Sequence, residues 1–202
     1  MIEPVQGEGG IRPLADSDLV ALRALCDARG VLLILDEVQC GIGRTGRLFA
    51  HQWAGIEPDI LLAAKGIGGG FPLGAVLASE EAASGMTAGT HGSTYGGNPL
   101  GCAVGCTVLE HIAAPEFLAE VNRKAGLFSQ KLAGLIAGYP DVFEDRRGVG
   151  LMLGLKCRAA NVDVVKAGYD MQVITVPAAD NVNRPLPAIT LTAAESYRCE
   201  AR

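Results

Sequence analysis

Three short apolar runs limit how this chain can fold: VLLIL at 31–35, DILLAA at 59–64 and GAVLAS at 74–79. None alternates apolar with polar positions. A run that stays apolar residue after residue suits a strand covered on both faces, which is the habit of parallel strands layered between helices. Residues 16–29 supply a helix before the first run. Asp16 or Ser17 is placed to cap it, Leu19, Leu22, Leu25 and Cys26 form its apolar stripe, and Gly30 stops it. A helix followed by buried strands without alternation predicts an α/β layered fold with a mostly parallel sheet.

The second half reads differently. NPLGCAVGCTVLEHI, 98–112, opens with Asn98 as a cap and Pro99 at the first helical position, and Gly101, Ala103 and Gly105 suit close packing. Beyond Pro115, the series Leu118, Val121, Ala125, Phe128, Leu132, Leu135 predicts one long helix, ended by Gly138 and Pro140. A strand over 148–157, a short helix near 162–169 and a strand near 172–177 complete the pattern. The expected division is a larger α/β unit over 1–98 and connecting helices with a smaller α/β unit over 99–202.

Apolar residues make up 49% of the chain and charged residues 19%, enough to bury a core. The net charge of −5 leaves no basic stripe for a nucleic acid. No apolar stretch reaches the roughly 18 residues of a membrane helix. MIEPVQGEGG lacks the basic start and apolar segment of a signal peptide, so a cytoplasmic setting with reduced cysteines is expected. The six cysteines read as small buried side chains, and the scattered His51, His91 and His111 offer no metal site.

Chemistry concentrates at the strand ends. VLLILDEVQCG leaves a buried strand through Asp36 and Glu37, where ligands of open α/β sheets bind, although a helix cap or a solvated turn would use the same acids. GIGRTG, 41–46, matches G-x-G-x-x-G, but DEVQC separates it from the strand and no phosphate-binding helix follows, so a dinucleotide site is rejected. Lys65 ends the second apolar run with no charged residue within five positions, and glycines follow at once. It is either a structural lysine or an amine kept for chemistry. An amine in an apolar pocket is a nucleophile suited to imine formation with an aldehyde, such as that of pyridoxal phosphate. That cofactor needs a carboxylate at its ring nitrogen, for which Asp36 is the candidate. GTHGSTYGGNP, 89–99, gathers hydroxyls and glycines ahead of a helix; it is a phosphate-holding loop or an ordinary turn-rich connection.

Together EPVQGEGG (3–10), LLILDEVQCGIGRTG (32–46), PDILLAAKGIGGGFPLGA (58–75) and GTHGSTYGGNPLG (89–101) resemble the class III pyridoxal-phosphate aminotransferases in motif, order and spacing. The resemblance runs from residue 2 to about 195. It implies a partial fold type I large domain, of the aspartate-aminotransferase-like kind, plus a smaller C-terminal domain. It implies Lys65 as the lysine that joins the cofactor and shuttles the proton, Asp36 at the pyridinium nitrogen and Gln39 at the ring oxygen. Thr94 would reach the phosphate of a partner subunit's cofactor in a homodimer. Glu8 would gate substrate entry by pairing with Arg184, which would bind a substrate carboxylate, with Ser93 also at the substrate. The implied reaction is amino transfer from N-acetylornithine to 2-oxoglutarate. Ornithine, succinylornithine and 4-aminobutyrate are alternative donors, and a non-catalytic dimerisation partner is an alternative role. The resemblance also implies a longer chain, whose same-subunit phosphate loop, stacking aromatic and further arginine are missing here. A fragment with little activity of its own is therefore expected.

Overall fold

The computed structural model describes residues 1–192. The chain opens with β1 (Val5–Gln6) running antiparallel to β2 (Arg12–Pro13), joined by the loop that carries Glu8. Next comes α1 (Asp16–Arg29), whose N-cap is Ala15 and has no side-chain cap. Asp16 and Asp18 instead lie in the first turn, where the positive end of the helix favours them. Gly30 closes the helix in the left-handed conformation, and the Val31 N–H bonds back to the Cys26 carbonyl. That closing turn consumes the start of the expected strand. Val31 and Leu32 are exposed, and β3 spans only Ile34–Asp36. Leu25, expected in the buried stripe of α1, faces outward as well.

β4 (Ile60–Ala64) pairs parallel with β3, bringing Asp36 opposite Leu62. Ile2 bridges the other side of β3, also in parallel. β5 (Gly74–Ala78) pairs antiparallel with β4 at the edge, leaving Val76 and Leu77 exposed. This first sheet is thus mixed rather than mostly parallel as expected: parallel where β3 meets β4 and antiparallel at the β5 edge. Leu19 and Cys26 of α1 pack on Leu33, Leu35, Ile56 and Leu61 beneath it.

A short α2 (Glu80–Ala83) and an exposed connection over 84–98 lead to α3 (Pro99–Ile112). The Asn98 side chain accepts the Gly101 N–H at 2.7 Å, so the cap and the N1 proline stand as expected. A side chain on Gly105 would meet Leu73 at 2.8 Å, which is why α3 can approach the first sheet's turn. α4 (Pro115–Gly138) buries Val121, Ala125, Phe128 and Leu132, four members of the expected stripe.

The stretch expected as one strand, 148–157, holds the end of one strand, a turn and a second strand. β6 (Phe143–Val149) and β7 (Met152–Cys157) pair antiparallel around Gly150–Leu151. The charged EDRR segment of β6 is largely exposed and hides the strand from a pattern of apolar residues. After α5 (Asn161–Asp170), β8 (Val176–Ala178) and β9 (Val182–Arg184) complete an antiparallel sheet of order β6-β7-β9-β8. α4 covers it through Phe128, Leu132, Leu153 and Leu155.

Two further cores draw on residues from both sides of position 98. One joins Val5, Ile11, Cys40 and Ala50 to Met152 and Val182. The other joins Ile42, Ala63 and Ile67 to Ile112. The segment TAAESYRCEAR, 192–202, which resembles the start of the family's last helix, lies outside the described residues after Thr192. Among the described residues no single helix is long and apolar enough to cross a membrane.

Candidate active site

Because β3 and β4 run in parallel, their carboxyl ends open on the same edge. Asp36 ends β3 and Lys65 follows β4 directly, opening a 3₁₀ turn over Lys65–Gly68. Asp36 is half-buried and accepts the Val38 N–H on Oδ1 at 3.0 Å, while its other oxygen has no described partner.

Lys65 adopts φ +50, the left-handed region that a side chain with a Cβ rarely enters. Such strain persists only where surrounding contacts over-determine it, and it gathers at functional positions. Here Ile42 packs within 3.2 Å of where a Gly66 side chain would begin, and Val108 of α3 lies 2.9 Å from the same point on Gly69. These glycines therefore admit the protein's own side chains; Gly70 faces open space. The Lys65 side chain is exposed, not enclosed in an apolar pocket as expected.

Gln39 lies on the turn after Asp36. A Cβ on Gly7 would stand 2.4 Å from its amide oxygen, so Gln39 lies across the Gly7 backbone as only glycine permits. Glu8, the next residue, pairs with Arg184 at 2.7 Å. The pair is lopsided: the Glu8 side chain is 74% exposed and that of Arg184 4%. The Arg184 guanidinium, its hydrogen bond first, holds the Glu8 carboxyl below the usual range, with smaller contributions from Lys65 and from a Gln39 hydrogen bond. Arg184, Lys65 and Gln39 thus all act on the Glu8 carboxylate.

Ser93 and Thr94 stand apart from this group. Both are exposed in the 84–98 connection, where the Ser93 hydroxyl accepts the Gly96 N–H at 2.9 Å. Among the described residues no hydrogen bond or ion pair joins either to Lys65, Glu8 or Arg184.

Sequence reasoning missed the buttress behind the site. Glu37 is fully buried and accepts the Ala50 N–H at 2.5 Å and the His51 N–H at 2.9 Å, with His51 Nδ1 2.7 Å away. It pins the turn that carries Asp36 and Gln39. Only the apolar context of a carboxylate inside DEVQC hinted at this. Cys40 on the same turn is buried, and burial pushes its thiol up to about 12. Cys102 and Cys106 are exposed on α3, against the expectation of burial.

A sequence profile of the family Aminotransferase class-III matches residues 1–200. The chain belongs to the class-III aminotransferases. It is 64% identical over 192 residues to the acetylornithine aminotransferase of Rhodobacter capsulatus, covering 95% of this chain and 49% of that one. The corresponding protein of Mesorhizobium japonicum is 60% identical over 197 residues, covering 98% and 49%. Among solved structures, the N-acetylornithine aminotransferase of Stenotrophomonas maltophilia superposes with a TM-score of 0.87 at 36% identity, over 98% of this chain and 54% of that one. The ornithine aminotransferase of Toxoplasma gondii superposes with a TM-score of 0.91 at 32% identity, over 98% and 48%. The chain spans about half the length of the curated relatives it matches. The fold is that of the pyridoxal-phosphate-dependent aminotransferases, and members of the class depend on this cofactor.

The strand-end residues fit the ring end of pyridoxal phosphate. Lys65 offers an exposed amine, Asp36 a carboxylate oxygen with no partner among the described residues, and Gln39 a side-chain amide lying over the bare backbone of Gly7.

Proposed function

We propose that this chain carries the lysine-bearing half of an aminotransferase that moves the amino group of N2-acetyl-L-ornithine to 2-oxoglutarate. The observation that carries the reading is Lys65 at the carboxyl end of β4, held at φ +50 and within electrostatic reach of the Glu8–Arg184 pair. The 64% identity to an acetylornithine aminotransferase supports the donor.

In this reading Lys65 would hold the cofactor through its aldehyde and would carry a proton to and from the substrate carbon bearing nitrogen. Asp36 would serve the ring nitrogen, favouring its protonated form, and Gln39 would serve the ring oxygen. Pyridoxal phosphate, when bound, supplies the electron sink for breaking a C–H bond beside an amine. Arg184 binds a substrate carboxylate with its planar fork, and Glu8 occupies that fork when no such carboxylate is present. Thr94 and Ser93 serve a cofactor and substrate across a homodimer interface, which suits their exposed loop. Cytoplasmic residence completes the reading.

The test is a visible absorbance titration of the chain with pyridoxal phosphate, followed by borohydride and peptide mapping. The expected result is a saturable band and a reduced adduct on Lys65, both absent in Lys65→Ala. The same band and adduct yield in both proteins would sink the reading. Ornithine is the second donor, favoured by the TM-score of 0.91 to an ornithine aminotransferase. A spectral change driven by ornithine at concentrations where N-acetylornithine is silent would select it.

A further inference from the structure

The loop that carries Glu8 and the turn that precedes Arg184 are fastened to each other by contacts the reading above does not use. The Ala179 N–H donates to the Glu8 carbonyl at 2.9 Å. Gly10, at φ +105, lets the same turn approach, since a Cβ there would meet the Ala179 carbonyl oxygen at 2.8 Å. Asp180 stands at the tip of the turn between β8 and β9, itself at φ +58. Its carboxylate meets Arg12 of β2 at 3.0 Å, Arg147 of β6 at 2.6 Å and Lys156 of β7 at 2.7 Å. Lys156 also donates to the Asp180 carbonyl at 2.6 Å.

We propose that Asp180 is a positioning residue that holds Glu8 against Arg184 and so sets how readily an outside carboxylate takes Glu8's place. The inference rests on reading Arg184 as the carboxylate site. Arg184 is buried within β9 and stays where that strand puts it. Glu8 is exposed on a loop, and the link Asp180–Arg12 ties down the strand on the far side of that loop. Freeing Arg12 therefore loosens Glu8 and leaves Arg184 in place. The turn itself survives, because Asn181 donates to the Cys157 and Ala159 carbonyls at 2.7 and 2.8 Å and accepts the Asn161 N–H at 2.8 Å. A looser Glu8 competes less well for the guanidinium, so a dicarboxylate binds more tightly.

The experiment is calorimetric titration of the full chain with 2-oxoglutarate, for the wild type and for Asp180→Asn, Arg12→Gln, Glu8→Gln and Arg184→Gln. Asparagine removes the charge and tolerates the left-handed backbone. The expected result is tighter binding in Asp180→Asn and Arg12→Gln, by about two- to five-fold on the scale of partly exposed ion pairs. Glu8→Gln should change in the same direction, and Arg184→Gln should lose binding. A destabilised fold does not gain affinity. A simple change of local charge predicts opposite signs, because Asp180→Asn adds positive charge and Arg12→Gln removes it. Tightening in the first with weakening in the second overturns the proposal. Unchanged affinity in both, with loss in Arg184→Gln, overturns the proposal and leaves the Arg184 reading intact. Wild-type affinity in Arg184→Gln, or no binding by the wild type, overturns both. Should Asp180→Asn fail to fold, as judged by its melting, Arg12→Gln alone decides by the same signs, since Arg12 is 53% exposed.

Discussion

Lys65 combines two demands that conflict. In the proposed reading the position needs an amine, whereas the backbone there needs a residue at ease with φ +50. A non-glycine residue in the left-handed region costs about 1–2 kcal/mol. Lys65→Ala removes the amine and keeps the strain, whereas Lys65→Gly removes both. Lys65→Gly should therefore melt above Lys65→Ala by about 2–4 °C, the shift that 1 kcal/mol produces in a chain of this size. Equal melting temperatures in a calorimetric scan would mean that the turn relaxes freely and stores nothing. The amine was legible in the sequence because no other charge surrounds it. The strain was not, since φ depends on how Ile42 and Val108 crowd the glycines after it.

At the scale of elements, the parallel pairing of β3 with β4 sets the spacing between Asp36 and Lys65. Asp59 is the peg that holds that pairing. It accepts the Leu33 N–H at 2.6 Å and the Arg23 guanidinium at 2.8 Å, tying the entrance of β4 to β3 and to α1. The Leu33 N–H, followed by Arg23, holds the Asp59 carboxyl below its ordinary range. A depressed carboxyl adds stability that is fully present above its unfolded pKa and is lost as pH falls through the folded one. Asp59→Asn should lower stability at neutral pH by about 1–3 kcal/mol, the cost of unpairing a part-buried hydrogen-bonded acid, and should flatten the acid limb of a stability–pH curve. Denaturant melts between pH 3 and pH 7, flanking the usual carboxylate pKa of about 3.9, would measure this; a parallel acid limb in the variant would exclude Asp59 as its source. Sequence pattern found α1, α3 and α4 nearly to their ends, because helical periodicity and capping chemistry are local. It found β7 and missed most of β6, because EDRR is charged and a hairpin is recognised by pairing, which is not local. The Glu8–Arg184 contact came from family likeness, and no local pattern joins residues so far apart in the chain.

For the molecule as a whole, the question is whether the two sheets are separate units. Gly43 has Ile112 within 2.8 Å of its missing side chain, and Arg44 donates to the Leu151 and Pro187 carbonyls at 3.4 and 2.5 Å. Arg44 is half-buried doing so, and desolvation pulls its guanidinium below the ordinary value. Unfolding should therefore be a single cooperative transition, in which fluorescence of Trp53 beside the first sheet coincides with far-ultraviolet dichroism. Separate midpoints would show that the shared cores do not couple the halves.

The exposed 84–98 connection has a consequence of its own. It carries the covalent link between two pieces whose shared cores hold them together elsewhere. A protease that nicks it would cut the chain without parting it. The products would travel as one particle and separate only in denaturant. The chain is, in effect, already a split protein, with a peptide bond where a reassembling pair would have none.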